Sequence, residues 1–130
     1  MKKIILIGIV LLSGISLLAQ DNTFNVMPLP QSVKPNKQKC RVEKSFSVSV
    51  VGNPDDRVYA EASRMLRRLD ERVGLFFKQG FITNKDKDAN STLLIQVGRP
   101  AELKLNEDES YELTVNDKQI VIKSETDFGA

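Results

Sequence analysis

Three acidic clusters and one thiol are the groups from which this chain could build chemistry: Asp70-Glu71, Asp86-Lys87-Asp88-Ala89-Asn90, Glu107-Asp108-Glu109 and Cys40. Paired carboxylates are the usual equipment for cleaving a glycosidic bond. Asp70 and Glu71, however, are chain neighbours on a helical pattern, where adjacent side chains point about 100° apart. They read as i,i+4 partners of surface arginines rather than as an acid and a base. Asp86 to Asn90 imitates the first half of a calcium loop, but Ser91 stands where Gly belongs and Val97 where a bidentate acid belongs. That stretch, like Glu107 to Glu109, reads as a solvated loop. Asn90-Ser91-Thr92 fits a glycosylation sequon, a weak three-residue signal.

The 130 residues contain no His and one Cys. A Ser-His-Asp triad, an imidazole metal ligand, an intrachain disulfide and a CxxC redox pair are therefore excluded. No Gly-rich phosphate loop is present. Read from its residues alone, the chain has no catalytic set, no cofactor-binding residue and no metal ligands.

Residues 1–19 read as an export signal: Lys2 and Lys3, then an apolar run to Leu18, with Ala19-Gln20 as the cleavage point. A membrane span needs about 20 mainly apolar residues, and this run ends sooner, at Gln20-Asp21-Asn22. Of the 19 Lys and Arg, two lie in the leader, so the remaining bases equal the 17 acids. A neutral mature chain gives no electrostatic reason to expect nucleic acid or, after cleavage, a membrane as partner. The expected location is periplasmic or secreted.

Any site must be positioned by the elements that follow. Residues 20–36 hold three of the five prolines and predict an extended lead-in. In residues 37–130, Arg41 to Val51 predicts a strand, with Phe46, Val48 and Val50 alternating against serines. Asn53-Pro54-Asp55-Asp56 predicts a helix start, with Asn53 as cap and Pro54 in the first turn. Val58, Ala62, Met65, Leu66, Leu69, Val73 and Phe76 form one apolar stripe, with the stop at Gly80. Thr92 to Val97, Ser110 to Val115 and Gln119 to Lys123 predict three more strands, the last two joined as a hairpin by Asn116-Asp117-Lys118. Ser124 to Ala130 carries helix-start signals with no helix behind them. The expectation is an α+β domain: a mostly antiparallel sheet, one long amphipathic helix packed on one face, and a second helix truncated at the C-terminus.

Several segments resemble one family. Val26-Met27-Pro28-Leu29-Pro30-Gln31 is similar to the opening of the mature part of family 20 glycoside hydrolases, the β-N-acetylhexosaminidases. Ser110-Tyr111-Glu112-Leu113-Thr114-Val115, Ile120-Val121-Ile122-Lys123 and Glu125-Thr126-Asp127-Phe128-Gly129-Ala130 resemble the end of their non-catalytic N-terminal domain. The resemblance spans residues 24–130 and implies a parent enzyme that removes terminal N-acetylhexosamine from glycans. Its partner would be a C-terminal catalytic barrel, through which the glycan substrate is met. In that family the substrate's acetamido oxygen attacks the anomeric carbon, helped by an Asp-Glu pair of the barrel. No position here matches that pair, and Asp70-Glu71 falls in the wrong domain. The resemblance also implies a domain junction near Met27, Pro28, Leu29 and Pro30 and near Phe128, Gly129 and Ala130. The competing expectation is a stand-alone exported module that binds carbohydrate or protein.

Overall fold

The computed structural model describes residues 29–130. The expected export signal, and Met27 and Pro28 of the expected junction, lie outside the described residues. The chain divides into two units, Met1–Pro35 and Asn36–Ala130. Of the first, residues 29–35 are described and form neither helix nor strand, in keeping with prolines that block both.

The second unit runs β1 (Val48–Gly52), α1 (Asp56–Val73), β2 (Leu93–Arg99), β3 (Tyr111–Val115) and β4 (Ile120–Thr126). The four strands form one sheet in the order β1-β2-β4-β3. β1 runs parallel to β2, with Val48 opposite Leu93. β2 runs parallel to β4, with Ile95 opposite Ile122. β3 and β4 form the expected antiparallel hairpin, with Leu113 opposite Ile122. The sheet is therefore mixed and mainly parallel, which corrects the expectation of a mostly antiparallel one. The helix between β1 and β2 is a crossover, and a crossover returns the chain in parallel. The loop after β2 then starts β3 one place away, leaving the gap that β4 fills.

The second expected helix is also corrected: α1 is the one helix among the described residues. Ser124 and Thr126, which read as caps, are instead buried in β4, opposite Val97 and Arg99. The Thr126 hydroxyl donates to the Asp108 carbonyl, so the capping group is spent within the sheet. Asp127 and Phe128 form a turn.

Helix α1 is amphipathic as predicted. Val58, Ala62 and Leu66 are buried, and Met65 and Leu69 pack at the edge of the core. Both ends differ from the expectation. Asp55, with extended backbone, precedes the helix as its N-cap but makes no side-chain cap bond. Asn53 lies two residues too early to cap, and its N–H still continues the sheet by donating to the Val97 carbonyl at 2.9 Å. At the other end Gly74, not Gly80, stops the helix. Its φ of 64° is left-handed, and its N–H donates to the Asp70 carbonyl at 2.8 Å. The stripe ends with it: Val73 is 41% exposed and Phe76 82%.

Val48, Val50, Leu93, Ile95 and Val97 form the sheet's share of the core, with Phe46 just before β1 and Ile82 closing it. Paired residues share a face of the sheet, so this apolar face continues through Ile122 to Leu113, which is 55% exposed. The predicted polar face of β1 is only partly solvated. Ser49 is buried, and its hydroxyl accepts from the Asp88 N–H at 3.2 Å.

Candidate functional site

Two open clefts were candidates for chemistry. The larger, of about 670 Å³, lies between α1 and residues 77–83 and has Tyr59, Leu66, Phe77 and Ile82 in its lining. Its one carboxylate is Asp70, whose Oδ1 accepts from the Phe77 N–H at 3.0 Å. The sequence paired Asp70 and Glu71 with helix arginines; the side chain of Asp70 instead ties down the chain that leaves the helix. The smaller cleft, of about 470 Å³, contains Asp86 and Asp88. Asp86 Oδ2 accepts from the Thr83 N–H at 2.7 Å and the Thr83 hydroxyl at 2.8 Å, and Asp88 Oδ1 from the Asn90 N–H at 2.8 Å. These acids hold turns. Among the described residues no group of three or more acids, Cys or His could hold a metal ion.

The densest polar structure lies where β2 and β4 end and β3 begins. Glu107 is its centre, and only 3% of that side chain is exposed. Its Oε1 accepts from Arg99 Nη2 at 2.6 Å and from the Asp108 N–H at 3.1 Å, and its Oε2 from the Glu102 N–H at 3.0 Å. Lys104 Nζ stands 3.5 Å from Oε2. The Arg99 bond, helped by the backbone N–H of Glu102, holds the Glu107 carboxyl down at about 2 against the opposing effect of desolvation. The same hydrogen bond raises Arg99. Glu107 read from sequence as solvated. The missed signal was the pairing of Arg99, at the end of a strand, with an acid at the far end of the same loop.

Beside this knot, the Asp127 side chain is 1% exposed, accepting from Arg57 Nη2 at 2.8 Å and from the Ala101 N–H at 2.5 Å. Arg57 also places its guanidinium 4.9 Å from the ring centre of Phe128, a cation–π contact. Gly129 is buried so tightly that a Cβ there would stand 2.3 Å from the Ser110 carbonyl oxygen. Two of the expected junction residues, Phe128 and Gly129, are therefore held against the start of α1 and the loop before β3. Ala130 is exposed. Leu29 is 77% exposed and Pro30 half-buried, both in the other unit of the chain.

What this arrangement offers is structural: it fixes a loop and a chain end, with each acid committed to an N–H, a hydroxyl or a cation. Comparison with known proteins agrees. The model of the beta-acetyl hexosaminidase like family matches residues 26–130. The chain belongs to that family. The hexosaminidase-like domain is similar to an X-ray structure of a chitobiase from Flavobacterium johnsoniae, with 43% sequence identity and a TM-score of 0.76. That match covers 81% of this chain and 16% of the chitobiase. No curated protein matches the chain. The family match and the chitobiase likeness make this hexosaminidase-like domain an N-terminal, non-catalytic domain of the family 20 glycoside hydrolase type. No helix among the described residues is long and apolar enough to cross a membrane.

Proposed function

We propose that this chain is the N-terminal domain of an exported β-N-acetylhexosaminidase, where it supports a catalytic part that removes terminal N-acetylhexosamine from glycans. The observation that carries the reading is the family match over residues 26–130, on a domain whose clefts contain no free pair of carboxylates. The short apolar run behind Lys2 and Lys3 supports export. The small share of the chitobiase that is covered supports a catalytic part lying elsewhere.

The test is an assay on a chromogenic N-acetylglucosaminide. The 130 residues alone are expected to give no hydrolysis above background. The polypeptide that includes the sequence encoded beyond codon 130 is expected to hydrolyse the substrate. Turnover by the 130 residues alone, or a gene that encodes no catalytic part, overturns the reading.

A further inference from the structure

We propose that the loop between β2 and β3 seats the catalytic part of the parent hexosaminidase, with Leu103 and Leu105 as its anchors. This rests on the reading above, that such a part exists. Both leucines are 93% exposed, on either side of Lys104. A single exposed leucine is ordinary. Two of them at the tip of a loop fixed this firmly are different.

The loop is fixed from within. Glu107 ties its two ends together through Arg99, the Glu102 N–H and the Asp108 N–H. The Lys104 N–H donates to the Glu102 carbonyl at 2.9 Å, and Asn106 takes a left-handed φ of 65° to close the turn. The conformational entropy of the tip is therefore largely spent before any partner arrives, which leaves more of the contact free energy for binding. The charges are also used up internally: Arg99 pairs with Glu107 and Lys104 with Glu102. The large exposed apolar groups of the loop are the two leucines.

The position of the loop selects the occupant. The domain is N-terminal in its family and covers 16% of the related chitobiase, so most of that chain lies beyond the matched part. Asp127 accepts from the Ala101 N–H, and Gly129 sits against the Ser110 carbonyl. Polypeptide continuing past β4 would therefore leave beside Ala101 and Ser110, the two flanks of the loop that bears the leucines. A second copy of the chain is a poorer occupant, because a stable free association buries about 800 Å² per partner and two side chains supply far less. A tethered domain needs less area, since the linkage raises its effective concentration.

The test is thiol labelling in the full-length parent, in a Cys40→Ser background, with Leu103→Cys and Leu105→Cys compared with Lys118→Cys in the exposed hairpin turn. In the 130-residue chain all three thiols are expected to react at similar rates. In the parent the two loop thiols should react about tenfold or more slowly than the hairpin thiol, because labelling then waits for the contact to open. A Leu103→Ser, Leu105→Ser double variant should lower the melting temperature of the parent and leave that of the 130-residue chain unchanged. Equal labelling in a parent that carries a catalytic part overturns the surface alone. Concentration-dependent protection in the 130-residue chain assigns the leucines to a second copy and also overturns it. A gene with no catalytic part overturns the reading beneath it.

Discussion

Gln79 pairs with Val48 as a neighbouring strand would, through a single side-chain amide. The Val48 N–H donates to Gln79 Oε1 at 2.8 Å, and Gln79 Nε2 donates to the Val48 carbonyl at 2.9 Å. β1 is an edge strand, and an open edge invites pairing with another chain. The Val50 N–H continues the cover by donating to the Asp86 carbonyl at 3.3 Å. Gln79→Ala should cost about 1–2 kcal/mol for the two lost bonds. It should also raise light scattering on mild heating; an unchanged denaturation midpoint and unchanged scattering would refute the edge-cover role.

The Glu107 knot should register in acid. In the unfolded chain this carboxyl takes up its proton near 4.5, in the folded chain near 2. Between those values the unfolded state binds more protons, so stability drains as pH falls through the window. Glu107→Gln removes that contribution. Its melting temperature should fall less steeply than the wild type's between those values, although Asp108, lowered mainly through Ser110, leaves some slope. Parallel melting curves against pH would contradict the depressed carboxyl.

Two glycines should differ sharply in their tolerance of Ala. At Gly52, φ is 96° and a Cβ would stand 1.9 Å from the Val97 carbonyl oxygen, the acceptor of the Asn53 N–H. Gly52→Ala should cost at least about 2 kcal/mol from strain and displacement of β2. Gly80 has nothing within 4 Å of its Cβ position, and Gly80→Ala should stay within about 0.5 kcal/mol of wild type. Denaturant titration of both variants decides the point.

The helix stripe should be graded by burial. Leu66 is 1% exposed and contacts the sheet core, so Leu66→Ala should cost about 2–5 kcal/mol. Val73, at 41% exposure, should tolerate Ala within about 0.5 kcal/mol. Equal losses at the two positions would mean that the stripe packs along its whole length.

The sequence made the elements legible because each local signal had one physical reading. The apolar spacing from Val58 to Leu69 has period 3.6, and the hairpin at Asn116 to Lys118 has few alternatives. Strand direction was missed: β1 alternates whichever way a neighbour runs, and the overlooked signal was the continuous apolar run Leu93-Leu94-Ile95 of β2, which suits a parallel strand buried on both faces. Ser124 and Thr126 misled for a related reason: a hydroxyl beside an acid suits a helix cap, yet it also suits a buried strand whose carbonyl partner lies across a loop. The carboxylates of Asp86, Glu107 and Asp127 were unreadable as structural groups because their partners are fixed by tertiary position. For Glu107 and Asp127 a cation completes the set, Arg99 and Arg57 respectively.

The strand order carries a consequence for synthesis. β4 is the last of the described elements and lies inside the sheet, between β2 and β3. Until Thr126 has left the ribosome, β3 has no partner and β2 is paired on one side only. The hairpin must then dock β4 on the free edge of β2, a non-local closure that is slow relative to helix formation. This domain therefore stays open while β4 is still being made and closes only once that strand reaches the free edge of β2.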